Sequence, residues 1–480
     1  MENINKKEVD FWPVISSLFL GAFLTTLGTS TINLALTDLM KYFNTSLDSV
    51  KWTLTGFMLA TGTIAPITSY LGEKISYKYL YLISLLGFTV SSILCVFSWN
   101  IESLIGFRIL QGSFTGLATP ATMTIIYQVI PREKHASAIS LWSLASMLAP
   151  AIGPTLSGWL IQTFSWKAIF LMNVPIGLIA ILIVLKFAPF YKLNPPADFD
   201  FLGFSTSMIA SVLLLTAFSE GSNWGWLSYK IILLIILGAI VLGIFVRQEL
   251  TTKLPALNLK IFKYKGYTMS IIVRAVVIMS LYAGTLLTPL YLQNVQHMTP
   301  LNAGLIMLVP SLMMALCMVM AGKLYNLMDP RILVISGIIA MAIGSLKMSH
   351  LSIDTSNTYI IIWMTLRNVG IALSTMPVTN IGMSCIDRKL SGNAASVNNW
   401  VGQSIGSLSI GVFTSLLTLM ASIHTNELIN TDITKTLVQS KAYLMGINDV
   451  YFVSFIIILV ALPLSMLLKD KNSKKNKEIV

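Results

Sequence analysis

Residues 148–160 read LAPAIGPTLSGWL. Two prolines and a row of small residues stand where a buried helix ordinarily carries Leu or Ile. Each proline removes an intrahelical hydrogen bond and bends the axis. What such a stretch means depends on whether its helix lies in water or in a bilayer, and the rest of the chain decides that. Of the 480 residues only 11% are charged and 55% are hydrophobic, whereas a soluble chain of this size is about a quarter charged. The apolar residues gather into blocks of about 17–25, the length that crosses a hydrocarbon core of ~30 Å. Fourteen are legible, near 12–36, 52–72, 78–98, 102–126, 137–162, 168–189, 202–218, 229–246, 268–292, 303–323, 332–351, 357–382, 396–421 and 449–468. The pattern predicts an all-α polytopic membrane protein.

Charge sets the expected orientation. With the N-terminus in the cytoplasm and loops assigned alternately, inside segments hold 22 of the 32 Lys and Arg, outside segments 7, and 3 lie within blocks. Basic loops stay on the cytoplasmic side during insertion, so both termini are expected inside the plasma membrane with an even number of crossings. The tail KDKNSKKNKEIV is the densest basic cluster; retention inside, with contact to anionic lipid, explains it better than nucleic-acid binding. The net charge of +12 has the same origin. MENINKKEVD at the start lacks a cleavable small-residue site, so no signal peptide is expected. Cys95, Cys317 and Cys385 stand at unrelated spacings and imply neither a disulfide nor a metal site.

The chain also repeats itself. Block 4 contains FRILQG, with Arg108 about 9 Å below the outer helix end at ~1.5 Å per residue. Block 12 contains LRNVGIAL, with Arg367 at a comparable depth. SYLGEKISYKYL follows block 2, and GKLYNLMDPRIL follows block 10, both short, charged inside loops. Two six-helix bundles are therefore expected at 12–190 and 266–470, with an inserted hairpin of helices 7 and 8 at 200–247 and the basic tail at 471–480. Six-helix repeats are the plan of a rocking transporter whose substrate site lies between the halves near mid-membrane. Arginines inside a membrane are costly and imply a partner or a cavity.

These stretches carry a resemblance. STINLALTDLM, SWKAIFLMNVPIG and LTPLYLQNVQHMTPLNAGLIMLVPS resemble, in order, segments of the major facilitator superfamily's fourteen-helix drug:proton antiporter branch, the EmrB/QacA family. MLAPAIGPTLSGWL and LGEKISYKYLY are most similar to its lincomycin-resistance type. The resemblance runs nearly end to end and implies the major facilitator fold with fourteen transmembrane helices. It also implies proton-coupled efflux of amphipathic drugs, energised by the proton gradient with no resident cofactor.

The opening stretch then matches the family's antiporter motif in helix 5. Its positions fall on Ser140, Ala149, Pro150, Gly153, Pro154, Ser157 and Gly158, all small or bending, with only two glycines kept. Small residues at about four-residue spacing let another helix approach backbone to backbone, where lipid offers no hydrophobic drive. A static packing groove is the plainer reading of the same pattern. The family's gating loop falls on Glu73, Lys74 and Lys78, a carboxylate and bases that can pair in one conformation and part in another; Ser69 and Ser76 replace expected glycines. In the helix 4 motif the resemblance ties Arg108, with Gln111 and Gly112, to proton transfer.

An arginine cannot itself carry the proton, so an acid must stand near. Gly28 occupies the position where many relatives place an aspartate, and no acid lies deep in a block. Glu102 and Asp38 are the nearest by sequence and complete the proton-coupling candidates. Asn33, Gln293, Arg274 and Arg367 are the substrate-cavity candidates, and three intramembrane cations with no deep anion argue against strongly cationic substrates. Met313, Met314, Met318 and Met320 suit a promiscuous pocket, but also a lipid-facing wall. The four histidines, His135, His297, His350 and His424, show no metal spacing.

Composition excludes most other classes. No cluster of nucleophile, acid or metal ligands points to an enzyme, no Walker-type loop to nucleotide coupling, and no filter motif to a channel or receptor. The expected partners are a small-molecule substrate, protons and lipid, with no nucleic acid, around a monomer. A transporter of one endogenous metabolite, in either direction, is the alternative.

Overall fold

A bilayer core offers the backbone no water, so each crossing segment must bond its own amides, and helices result. The computed structural model describes residues 11–130, 134–188, 199–252, 255–325, 327–386, 390–428 and 435–468. Among these the regular structure is entirely helical. α1 (Phe11–Ser30) and α2 (Ile32–Tyr42) form one rod interrupted at Thr31. α3 (Leu47–Val50) leads into α4 (Trp52–Ile64), which Ala65 and Pro66 divide from α5 (Ile67–Ile75). α6 (Tyr77–Val96), α7 (Ile101–Val129), α8 (His135–Thr163), α9 (Ala168–Leu171) and α10 (Asn173–Phe187) follow. Next come α11 (Phe201–Trp224) and α12 (Tyr229–Thr251). α13 (Lys265–Leu290) ends in a π-turn at Tyr291–Val295, and α14 (Pro300–Leu324), α15 (Pro330–Met348), α16 (Asn357–Ser384), α17 (Ser391–Leu428) and α18 (Lys435–Met466) complete the chain.

The boundaries have local causes. Asn100 caps α7 by accepting from Ser103 N, whose hydroxyl accepts from Asn100 N in return. Thr299 and Asp329 cap α14 and α15, each followed by a proline at the first helical position, where a missing N–H costs nothing.

Twelve helices among the described residues are long and apolar enough to cross a membrane. Two expected blocks stand outside that set. Block 52–72 is cut at Ala65 and Pro66 into two short helices; block 102–126 is the continuous α7, whose hydropathy Arg108, Gln111 and its threonines dilute. The expected tail at 471–480 and the side chains of Ser69, His135 and Ser140 lie outside the described residues.

Packing groups the helices. α1 lies against α8 and α10, and α7 against α4 and α6; α16 lies against α13, α14 and α15, and α18 against α13, α15 and α17. The two groups meet along two seams, α8 with α14 and α4 with α17. α11 packs on α12, α17 and α4, so the added hairpin rests beside the second seam. α12 turns Ile232, Leu233, Ile236 and Ile240 outward, the apolar exposure expected of a lipid-facing helix.

Candidate substrate cavity and gates

A cavity of about 270 Å³ lies between the two helix groups. One wall is hydroxyl-rich, with Thr25, Thr26, Thr29 and Ser30 on α1, Thr61 on α4 and Thr115 on α7. The stretch TTLGTSTIN explains it: Thr25, Thr29 and Asn33 recur every four residues and share one helix face. The facing wall is largely apolar, with Ile306, Met307 and Met314 from α14 and Ile360 and Met364 from α16, interrupted by Thr285 and Thr288 of α13 and Ser311 of α14. Asn33, Asn368 and Gln403 add amides, and no lining side chain is charged. A second cavity of about 160 Å³ shares Thr25, Thr26, Thr119 and Gln403 and reaches Gly21, Trp142 and Ser146, toward the first turns of α1 and α8.

Of the four expected cavity residues, Asn33 lines the cavity and the other three do not. Arg367 is fully buried, its Nε donating to Ser345 Oγ at 3.2 Å and Nη2 to Ser280 Oγ at 3.1 Å. Arg274 donates through Nη1 to Asn398, to its carbonyl at 2.6 Å and its side-chain oxygen. Hydroxyls and carbonyls inside the second helix group therefore bond both cations and hold them away from the cavity, although the buried Arg274 Nε has no partner. Gln293 instead donates to Leu34 O at 3.0 Å, a buried bond from the end of α13 to α2.

Arg108 is fully buried one layer behind the cavity. Its Nε donates to Thr53 O at 3.0 Å and Nη1 to Gln111 Oε1 at 2.6 Å, while Gln111 donates to Ser92 Oγ at 2.6 Å. The guanidinium stands 4.2 Å from the ring centre of Phe57, which lines the cavity. A Cβ on Gly112 would meet Phe57 O at 2.2 Å, so glycine sets how closely α7 approaches α4. Glu102 does not join this group. It is exposed in the first turn of α7, and no acid pairs with Arg108 among the described residues. Asp38 is half-buried in α2; burial raises its carboxyl pKa and Lys41 opposes that shift.

The antiporter stretch makes one seam. A Cβ on Gly158 would sit 2.4 Å from Pro300 O, and one on Gly304 2.6 Å from Pro154 O. Thr155 Oγ1 donates to Gly304 O at 3.0 Å. Gly153 faces its own group, with Ser30 Oγ 2.4 Å from an added Cβ, and Ser30 donates to Ala149 O at 3.4 Å. Ser157 is buried and donates to Pro154 O at 3.0 Å. Pro150 and Pro154 line the cavity within a continuous helix.

At the gating loop, Ser76 sits at φ 85° and ψ 136° between α5 and α6, a region that suits the glycine it replaces. Lys78 donates to Leu185 O of α10 at 3.2 Å, and Lys74 lies 5.5 Å from the Tyr70 ring centre. Glu73 makes no ion pair among the described residues, and its partial burial raises its carboxyl pKa. Of Met313, Met314, Met318 and Met320, Met314 lines the cavity, while Met313 and Met320 are exposed. His424 sits between Glu427 at 2.9 Å and Asp449 at 2.7 Å; no metal-holding group occurs among the described residues.

Two buried polar junctions were invisible to sequence reasoning. Lys51 has no exposed surface and donates to Asp48 Oδ1 and to Ser219 O, both at 2.6 Å, with Glu220 Oε1 at 3.7 Å. Asp48 Oδ2 accepts from Thr418 at 3.2 Å. This junction ties α3, α11 and α17 together. At the other end of the hairpin, Glu249 Oε2 accepts from Leu257 N at 2.9 Å, while Glu249 Oε1 and Asp200 Oδ2 have no partner. All five ionisable residues flank apolar blocks, where they read as ordinary loop charge.

Two helix groups around a shared, uncharged cavity define a multi-span membrane transporter. The chain belongs to the Major Facilitator Superfamily, whose profile matches residues 18–410. It is 30% identical to the uncharacterized MFS-type transporter YhcA of Bacillus subtilis, over 96% of this chain and 94% of that protein. It is 28% identical to the lincomycin resistance protein LmrB of Listeria monocytogenes, over 84% and 86%, in keeping with the drug-transporter branch. Among solved structures, a bacterial homologue of the human lysosomal transporter Spinster, inward-facing and unoccupied, superposes with a TM-score of 0.64 at 13% identity, over 95% of this chain and 96% of that one. That last likeness concerns the fold alone.

Proposed function

We propose that the protein exports small amphipathic compounds across the plasma membrane by alternating access, driven by proton entry. The junction cavity carries this reading. It is lined from both helix groups, bounded by the α8–α14 seam, and continued toward the first turns of α1 and α8, the end that the charge pattern assigns to the cytoplasm. Substrate enters from that side and leaves when the seams part. Both walls come from one chain, which suits a monomer. The relative named for lincomycin resistance supports the outward direction.

Coupling requires a titratable group whose surroundings change as the halves move. Asp48, Asp200 and Glu249 are buried at contacts between elements, whereas Glu102 is exposed. We therefore assign proton carriage to the buried acids. The test uses everted vesicles with an imposed acid interior, offered lincomycin, a dye cation and an organic anion in turn. Lincomycin is expected to accumulate until a protonophore is added. Asp48→Asn or Glu249→Gln is expected to lower driven accumulation about tenfold, equivalent to ~1.4 kcal/mol on the rate-limiting barrier, while Glu102→Gln changes it little. Accumulation indifferent to the gradient rejects proton coupling; accumulation confined to right-side-out vesicles rejects export.

A further inference from the structure

We propose that the cavity selects uncharged amphiphiles rich in hydrogen-bond donors, such as polyols and glycosides, because five of its lining hydroxyls have already given their own protons away. The inference rests on the transporter reading above and specifies what its site takes.

A threonine or serine hydroxyl has one proton and two lone pairs. On a helix it commonly donates that proton to a carbonyl three or four residues back. In this cavity Thr25 donates to Gly21 O at 2.9 Å, Thr61 to Phe57 O at 2.8 Å and Thr115 to Gln111 O at 3.0 Å. Ser30 donates to Leu27 O and Thr285 to Tyr282 O, both at 3.2 Å. All five residues line the cavity. Their oxygens can accept a ligand's proton but have none to offer without breaking a helix bond. These five oxygens form an array of neutral acceptors, beside the amides of Asn33, Asn368 and Gln403, which both donate and accept.

Charge narrows the class further. A cation entering this space would leave water without meeting a carboxylate, since no lining residue is acidic, and burying an unpaired charge is strongly unfavourable. An anion would find no lysine or arginine on the wall, and Arg108 stands behind Phe57. Neutral O–H and N–H groups lose least on entering and find acceptors waiting. The opposite wall of Ile306, Met307, Met314 and Met364 takes the hydrocarbon face, with flexible thioethers accommodating varied shapes. One ligand side is thus donor-rich and the other greasy.

Methylating a polyol's oxygens keeps its acceptors and removes its donors, so it isolates the property in question. Radiolabelled phenyl β-D-glucopyranoside and its tetra-O-methyl ether are to be bound to the purified full-length protein in detergent, without a gradient. The glucoside is expected to bind about tenfold more tightly, the scale of one or two net hydrogen bonds. Thr25→Val and Thr115→Val, which keep shape and lose the oxygen, should each weaken glucoside binding several-fold and leave the ether unchanged. Thr25→Ser and Thr115→Ser should restore the preference, a response that steric exclusion of the ether alone would not give. Tetraphenylphosphonium should not compete. Equal binding of both probes overturns the inference. So does a preference that survives both valine variants, tighter competition by tetraphenylphosphonium, or no glucoside binding at millimolar concentration. Because no gradient is used, preserved selectivity with failed pH-driven transport would count against proton-driven export alone. Normal pumping without donor selectivity would count against this inference alone.

Discussion

Lys51 has surroundings that its sequence neighbourhood does not suggest. It precedes an apolar block as an ordinary loop base would, yet its ammonium is enclosed by Asp48, Ser219 O and Glu220. Removing one partner of a buried ion pair leaves the other charge uncompensated and costs roughly 3–5 kcal/mol, whereas removing both charges together is often close to neutral. Lys51→Met is therefore expected to lower the thermal unfolding midpoint of the detergent-purified protein by several degrees, and Asp48→Asn with Lys51→Met to recover most of the loss. A single variant that melts like the wild type would show that Lys51 contributes nothing net. Arg108 and Arg367 teach the same lesson from the other side: their depth was legible, but their neutral partners were not. Ser280 and Ser345 are unremarkable letters until folding sets them against the Arg367 guanidinium, as is Ser92 until it accepts from Gln111, the partner of Arg108.

At the scale of the element, α8 shows how a pattern becomes a joint. Its small residues serve two neighbours: Gly153 meets α1 and Gly158 meets α14. The obstacles differ in kind. An added methyl at Gly153 meets the Ser30 hydroxyl, which can rotate, while at Gly158 it meets backbone of Pro300, which cannot. Gly158→Ala should therefore push the seam apart and raise labelling of a cysteine at Asn33 by a reagent added from the extracellular side, in a background without Cys95, Cys317 and Cys385. Gly153→Ala should change labelling far less, and Ser30→Ala with it should abolish the residual effect. Equal labelling in both glycine variants would leave the groove as static packing. The four-residue spacing was legible; which side of α8 faces which helix was not, because a helix can turn its small-residue stripe toward any neighbour.

For the whole molecule, the charge pattern and the fold make a joint claim. Fourteen crossings require α4–α5 and α7 to span the bilayer although neither is among the twelve apolar spans. An even count puts both ends of the chain on one side. On intact cells, a cysteine at Thr425 should label with an impermeant maleimide, and one at Lys474 should label only after permeabilisation. Labelling of Lys474 from outside would make the count odd or reverse the orientation.

Block length, apolar content and the asymmetry of basic loops determined, without any structure, that this is a helical membrane protein with expected cytoplasmic ends. Those properties are local, since each segment must satisfy its own backbone in lipid whatever surrounds it. The repeated arginines and the small-residue stretch likewise pointed to a two-part transporter. Only the tertiary structure decided which polar groups share the cavity. Asn368 and Gln403 line it with Asn33, while Gln293, Arg274 and Arg367 find partners elsewhere. Only it brought Asp48, Lys51, Glu220 and Thr418 to one junction. A buried polar group takes whichever partner the packing of distant helices brings within ~3 Å, and helix periodicity carries no record of that choice.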